Sequence, residues 1–201
     1  KPIIGVNHIL AHLYSSFLNE EAPRFPFLGL VVSGGHTALF HCESVGRQRL
    51  LGSTQDDAVG EAYDKVAKIL GLGYPGGPVI DRLAKKAKGE SLISFPKSYL
   101  GKDSLDFSFS GIKTAVLYHV NRIKSKGARV SEEEIANICR SFQEAALDAL
   151  VDNVIKAAEQ TNAKRVVVGG GVAANSRLRE KLSELASFSS MKIHFPELKY
   201  C

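Results

Sequence analysis

The sequence predicts an α/β fold, and two observations carry that prediction. Two strand-like runs, the apolar Phe27 to Val32 and Lys164 to Val168, each end in a glycine corner, Ser33-Gly34-Gly35 and Gly169-Gly170-Gly171. Between them, Ala58 to Leu70 and Ile135 to Ala158 carry apolar residues at helical spacing. Strands alternating with helices make an open α/β sheet, and ligands of such sheets settle at the carboxyl ends of the strands. The 201 residues, 44% hydrophobic and 23% charged, can bury a core as one large domain or two small ones. Disordered and disulfide-knot classes are excluded by the same composition.

Element by element, Lys1 to Val6 reads as a strand leading into a helix capped by Asn7. Phe27 to Val32 and Ala38 to Cys42 read as strands flanking a glycine corner. Ala62, Val66, Ile69 and Leu70 share a helix face that stops at Gly71, and Tyr74-Pro75-Gly76-Gly77-Pro78 opposes any regular element. A helix over Val79 to Ala87 follows, then a polar stretch from Gly89 to Phe107 with few periodic signals. Ser110-Gly111-Ile112-Lys113-Thr114 opens another helix. Ser131 and Glu134 form a capping box ahead of the stripe Ile135, Ile138, Phe142, Ala145, Ala149, Val154 and Ala158. A helix from about Asn175 to Leu185 and a strand near Ile193 complete the pattern.

The longest uncharged run, Phe25 to Cys42, is broken by Pro26 and by Ser33 to Thr37, so it falls short of the roughly 20 consecutive apolar residues of a membrane span. Cys42, Cys139 and Cys201 are odd in number and widely separated, which makes a reducing, cytoplasmic compartment the expectation. The net charge of +5 suits a polyanionic partner and equally an ordinary basic enzyme. Lys124, Lys126 and Arg129 are among scattered basic residues of the kind that touch phosphates or simply face water.

Three groups of residues carry chemistry. His8 and His12, four apart, place two imidazoles on one helix face, a spacing that suits two ligands of one metal ion and equally two unconnected histidines. Position 9 is Ile, so the general base of a zinc-peptidase helix is missing. Asp57, Glu61 and Asp64 share a helix face, either to complement the helix dipole or to accept from ligand hydroxyl and ammonium groups. The two glycine corners, facing one another, would form a cleft whose bare backbone amides approach anionic oxygens. Neither corner has the Walker or dinucleotide spacing, so nucleotide binding of another type is expected.

Taken together, Asn7-His8-Ile9-Leu10-Ala11-His12, Val31-Val32-Ser33-Gly34-Gly35-His36-Thr37, Asp56 to Lys65, Tyr74 to Pro78, Phe107 to Thr114 and Gly169 to Asn175 resemble the bacterial tRNA adenosine threonylcarbamoyltransferases, the TsaD family. That resemblance implies an actin-like ATPase or sugar-kinase fold with two ribonuclease-H-like lobes around a nucleotide cleft. It implies transfer of threonylcarbamoyl from threonylcarbamoyl-AMP to the exocyclic amine of the adenosine next to the anticodon, in tRNAs reading codons that begin with A. A paralogous partner subunit and a small ATPase would assist. Carried over by motif, His8 and His12 would hold one divalent metal, iron by resemblance or zinc, while Val31, Val32, Ser33, Gly34, Gly35, Asp64, Gly77, Asp81 and Asn175 would bind the adenylate.

A metallopeptidase and a non-catalytic nucleotide-binding subunit are the alternative functions. The family's third metal ligand, an Asp in a Cys-Thr-Asp-Asn motif, is absent from this chain, which ends at Tyr200-Cys201. The expectation is therefore a portion of a longer polypeptide, incomplete at both ends and inactive alone. Residues 1–110 would contribute to the first lobe with inserted helices, and residues 111–201 to a shortened second lobe.

Overall fold

The computed structural model describes residues 2–19, 21–88, 92–97, 100–101 and 103–201. Its centre is a five-stranded sheet in the order β3-β2-β1-β4-β5, built from β1 (Phe27–Val32), β2 (Thr37–Ser44), β3 (Arg47–Ser53), β4 (Arg165–Gly169) and β5 (Lys192–His194). β1 to β3 form an antiparallel meander, whereas β4 and β5 run parallel to β1. β1 is buried on both faces, which accounts for its unbroken apolar run.

Leu28, Leu30 and Val32 point into the larger core, shared with α2 (Val59–Ile69), α3 (Gly76–Ala84), α4 (Ser110–Ser125), α5 (Glu132–Thr161) and α6 (Ser176–Phe188). Phe27 and Val31 point to the opposite face, against Leu13 of α1 (His8–Tyr14). The 30-residue α5 begins at the capping box read from the sequence and buries Ile138, Phe142, Leu147, Leu150 and Val154. Among the described residues no helix is long and apolar enough to cross a membrane.

Two expectations are corrected, and one strand was not expected. Pro2 to Val6 are exposed and join none of the five strands, so the strand expected over Lys1 to Val6 does not form there; Lys1 lies outside the described residues. An apolar run without a ladder partner cannot satisfy its backbone as a strand. The segment Tyr74 to Pro78 does not stop regular structure, because α3 starts at Gly76 and Pro78 falls in its first turn. A proline there removes an N–H that has no intrahelical acceptor in any case. β3 was not expected, its sequence being polar and largely exposed, and the turn at Gly46 (φ 76°) folds it onto β2. β4, which follows α5 in the chain, returns to pair with β1. Within the polar stretch expected from Gly89 to Phe107, Gly89, Glu90, Ser91, Ser98, Tyr99 and Lys102 lie outside the described residues.

Candidate functional site

The two glycine corners lie side by side rather than face to face, because Val31 and Gly169 are paired partners on adjacent parallel strands. Gly170 takes φ 98°, and a Cβ there would stand 2.4 Å from the Val32 carbonyl oxygen, so only glycine permits this approach. At Gly60 on the first turn of α2, a Cβ would stand 2.6 Å from the Ser33 carbonyl oxygen. That vacancy lets the amino end of α2 abut the first corner.

A cavity of about 730 Å³ opens beside these corners. Gly34, Asp64, Gly77, Asp81 and Asn175 line it, all five of them among the residues expected to bind the adenylate. Val31 and Val32 are fully buried in β1 beneath it, and the Ser33 hydroxyl accepts from the His36 backbone N–H at 3.1 Å, closing the corner as a turn. Gly35 is exposed and does not line the cavity. The amino ends of α2, α3 and α6 reach the cavity through Gly60, Gly77 and Asn175. Three helix amino ends and the glycine amides make it favourable to negative charge. Arg82 and Lys85 add cationic side chains to the wall.

The polar residues of the wall are tied to the frame. Asp64 Oδ1 accepts from Gly76 N–H at 2.7 Å and so caps α3 from α2. Asp81 accepts from the Ser176 backbone N–H at 3.2 Å and from its hydroxyl at 2.9 Å, joining α3 to α6. Asn175 caps α6, its Oδ1 accepting from Leu178 N–H at 2.9 Å, while its amide donates to Gln143 Oε1, also at 2.9 Å. Tyr63 donates to the same oxygen at 3.3 Å. Burial first, then the charges of Asp81 and Glu144, push the Tyr63 hydroxyl well above its ordinary value and keep it a neutral donor. Gln143 and Tyr63 escaped the sequence reading; the available signal was an uncharged amide between Phe142 and Glu144 inside an apolar stripe.

The carboxylate face expected on α2 is neutralised internally. Asp57 lies between Lys65 Nζ at 2.5 Å and Lys113 Nζ at 2.6 Å, and Glu61 is 2.9 Å from Lys65. Burial alone would raise the Asp57 carboxyl, but bonds from Lys113 and Lys65 outweigh it and hold the group below its ordinary range. Lys113 is therefore engaged and does not present an open anion site. Asp56 accepts from the Ser108 hydroxyl and from Phe109 N–H, fixing the start of α4.

His8 and His12 come together as expected, with ring centroids 4.6 Å apart and nearly perpendicular planes. A Cβ at Gly169 would meet the His12 carbonyl oxygen at 2.1 Å, so this glycine seats α1 against the second corner. His36, next to the first glycine pair, lies 5.9 Å from His8, a neighbour the sequence reading quoted in its motif but did not assign. Burial and then the imidazoles of His8 and His36 lower the pKa of His12, keeping it neutral. Among the described residues no set of three His, Cys, Asp or Glu is arranged to hold a metal ion. The two imidazoles lie close together without a third such side chain grouped around them among the described residues.

Over residues 1–201 the sequence matches the family described as TsaD, tRNA N6-adenosine threonylcarbamoyltransferase. The chain belongs to the TsaD family. Its curated TsaD relatives include proteins named tRNA N6-adenosine threonylcarbamoyltransferase from Anaeromyxobacter sp. (strain Fw109-5), 50% identical over 202 residues, and Persephonella marina (strain DSM 14350 / EX-H1), 51% identical over 204. All of this chain is covered in both matches, against 59% and 56% of those proteins, so it spans less than three fifths of their length.

Two solved structures are similar in fold. Full-length HypF in its phosphate- and nucleotide-bound form matches with a TM-score of 0.69 at 14% identity, over 96% of this chain and 39% of that one. Component A of the Acidaminococcus fermentans (R)-2-hydroxyglutaryl-CoA dehydratase matches with a TM-score of 0.50 at 20% identity, over 94% of this chain and 60% of that one. Both share the actin-like ATPase fold, which the TsaD chain therefore carries.

Proposed function

We propose that this protein transfers the threonylcarbamoyl group of threonylcarbamoyl-AMP to the exocyclic amine of the adenosine next to the anticodon, in tRNAs reading codons that begin with A. The observation that carries the reading is the convergence of Gly34, Asp64, Gly77 and Asn175, drawn from four separate motifs, together with Asp81, on one cavity ringed by helix amino ends. Such a cavity suits the AMP portion, with phosphate at the glycine amides and the adenosine against Tyr63, Pro75, Pro78 and Val172.

In this reading the chain's residues position and stabilise. The corner amides hold the AMP phosphate that departs with the leaving group, and preorganised donors stabilise charge there without reorganising. Asp64 and Asp81 keep α3 and α6 at their places in the wall. No side-chain nucleophile is required. Cys42 and Cys139 are buried and their thiols are pushed up to about 12, so neither supplies a thiolate at neutral pH.

His8 and His12 would supply two imidazole ligands to one divalent ion, iron or zinc, which when bound polarises a carbonyl oxygen or anchors the threonyl group. The paralogous subunit and small ATPase belong to the same proposal, as does a cytoplasmic location. Labelled threonylcarbamoyl-AMP, unmodified tRNA and the full-length protein with these partners test the reading. Incorporation of label at the adenosine is expected, and its absence beside an active homologous system overturns the assignment.

A further inference from the structure

A groove of about 450 Å³ runs between the carboxyl ends of α2 and α4, floored by apolar residues such as Leu70 and Val120 and bordered by Lys68, Lys124 and Arg129. No acidic residue lines it among the described residues. All three cations are exposed, and none has an ion-pair partner among the described residues, whereas Lys65, Lys97, Lys113 and Lys181 are each held by carboxylates. Lys68 and Lys124 sit in the last turns of α2 and α4, where a cation complements the helix dipole. Arg129 lies beyond α4 and has no such explanation.

The groove connects to the cavity. A second hollow of about 510 Å³ is bordered at one end by Lys68 and Gly71, which also border the groove, and at the other by Asp64 and Tyr74, which also line the cavity. Its carboxylates are engaged, Glu61 by Lys65 and Asp64 by Gly76 N–H. Tyr74 stands at the cavity mouth with 84% of its surface exposed.

We propose that this track, from Tyr74 along Lys68 to Lys124 and Arg129, binds the substrate RNA, its cations following the phosphate backbone while Tyr74 stacks on an unpaired base beside the cavity. Unpaired cations spaced along a groove track a polyanion, and an exposed aromatic face takes a base of a single-stranded loop. An acidic protein segment would satisfy the cations but has no use for the ring. The inference rests on the tRNA-modifying reading and names the surface by which the RNA is held.

The test measures binding of an unmodified tRNA transcript by the full-length protein across a salt series. For Lys68→Ala/Lys124→Ala/Arg129→Ala the affinity falls at least tenfold near 0.1 M salt and the slope of log affinity against log salt becomes shallower by about 2, one increment of 0.7–0.9 per lost phosphate contact. Tyr74→Ala weakens binding about tenfold with the slope unchanged, as loss of stacking should. AMP affinity by calorimetry stays constant in the triple variant, since none of its residues lines the cavity.

Unchanged tRNA affinity and slope in the triple variant, with the unaltered protein binding tRNA, overturns the track while leaving the functional reading standing. A protein that binds AMP but no tRNA overturns the functional reading and the track with it. Loss of polyglutamate binding with tRNA binding retained assigns the groove to an acidic protein instead. A parallel loss of AMP affinity shows a structural effect and likewise overturns the assignment.

Discussion

Asn175 donates from its side-chain amide to Gln143 Oε1 at 2.9 Å, which fastens the cap of α6 to the middle of α5 beneath the cavity. One residue thus ends the second glycine corner, starts a helix and satisfies a buried amide. Replacing Asn175 by Ala removes the cap and one of the two donors on Gln143, so a loss of about 1–3 kcal/mol of stability is expected. Asn175→Ser restores the cap alone and recovers part of the loss. Urea midpoints measure both, and an Asn175→Ala midpoint equal to wild type would refute the role.

Gly60 and Gly77 make a contrasting pair. A Cβ at Gly60 meets Ser33 and Gly34 backbone atoms at 2.6 and 2.8 Å, none of which can step aside as a flexible side chain would. Gly60→Ala should therefore cost about 1–3 kcal/mol and shift the first corner, weakening AMP binding. A Cβ at Gly77 meets nothing within 4 Å, so Gly77→Ala leaves stability within about 0.5 kcal/mol. Any fall in AMP affinity there reports contact with the ligand. Equal melting temperatures for the two variants would contradict the packing argument.

Acid sensitivity should concentrate between α5 and α6. Burial alone would raise the Glu144 carboxyl, but Arg177 at 2.6 Å and Lys181 at 2.7 Å outweigh it and hold the group below its ordinary value. Asp148 is lowered in the same way, burial being outweighed by Lys181 and Lys97. A carboxyl whose folded value lies below its unfolded one binds fewer protons when folded. Its stabilisation is complete above the unfolded value of about 4 and disappears as the pH falls through the folded value. Glu144→Gln should flatten the decline of stability below about pH 5. Parallel pH–stability curves for the variant and wild type would remove Glu144 from the explanation.

What the sequence disclosed follows from which signals are local. The capping box at Ser131 and Glu134, the Asn7 cap and the glycine corners are short-range rules, and each recurs in the structure. The exchange of ions among Asp57, Lys65 and Lys113 was not legible, because Lys113 comes from a helix 56 residues away in sequence. Read along the chain, these carboxylates look free; folded, Asp57 and Glu61 pair with lysines and Asp64 accepts from Gly76 N–H. β3 escaped because a polar edge strand owes its place to β2 rather than to its own periodicity. Gln143 escaped because its value lies in two partners, Tyr63 and Asn175, from elements distant in the chain.

The histidine cluster allows a prediction about metal affinity. On the proposed function His8 and His12 would fill two metal positions, His36 stands 5.9 Å from His8, and no set of three His, Cys, Asp or Glu among the described residues is arranged around a common point. Two imidazoles leave an iron or zinc ion short of the usual three or four protein ligands. Residues 1–201 alone should therefore bind the metal weakly, while a protein of the curated relatives' length should bind it stoichiometrically. In such a protein His8→Ala and His12→Ala should each reduce affinity by at least tenfold, since even supporting residues of metal sites cost tenfold to a hundredfold when replaced. His36→Ala should change it less than His8→Ala does, because its ring stands apart from the pair. Equilibrium dialysis with elemental analysis distinguishes these cases. A loss in His36→Ala equal to that of His8→Ala, or tight stoichiometric binding by residues 1–201, would show that the chain holds a third ligand of its own.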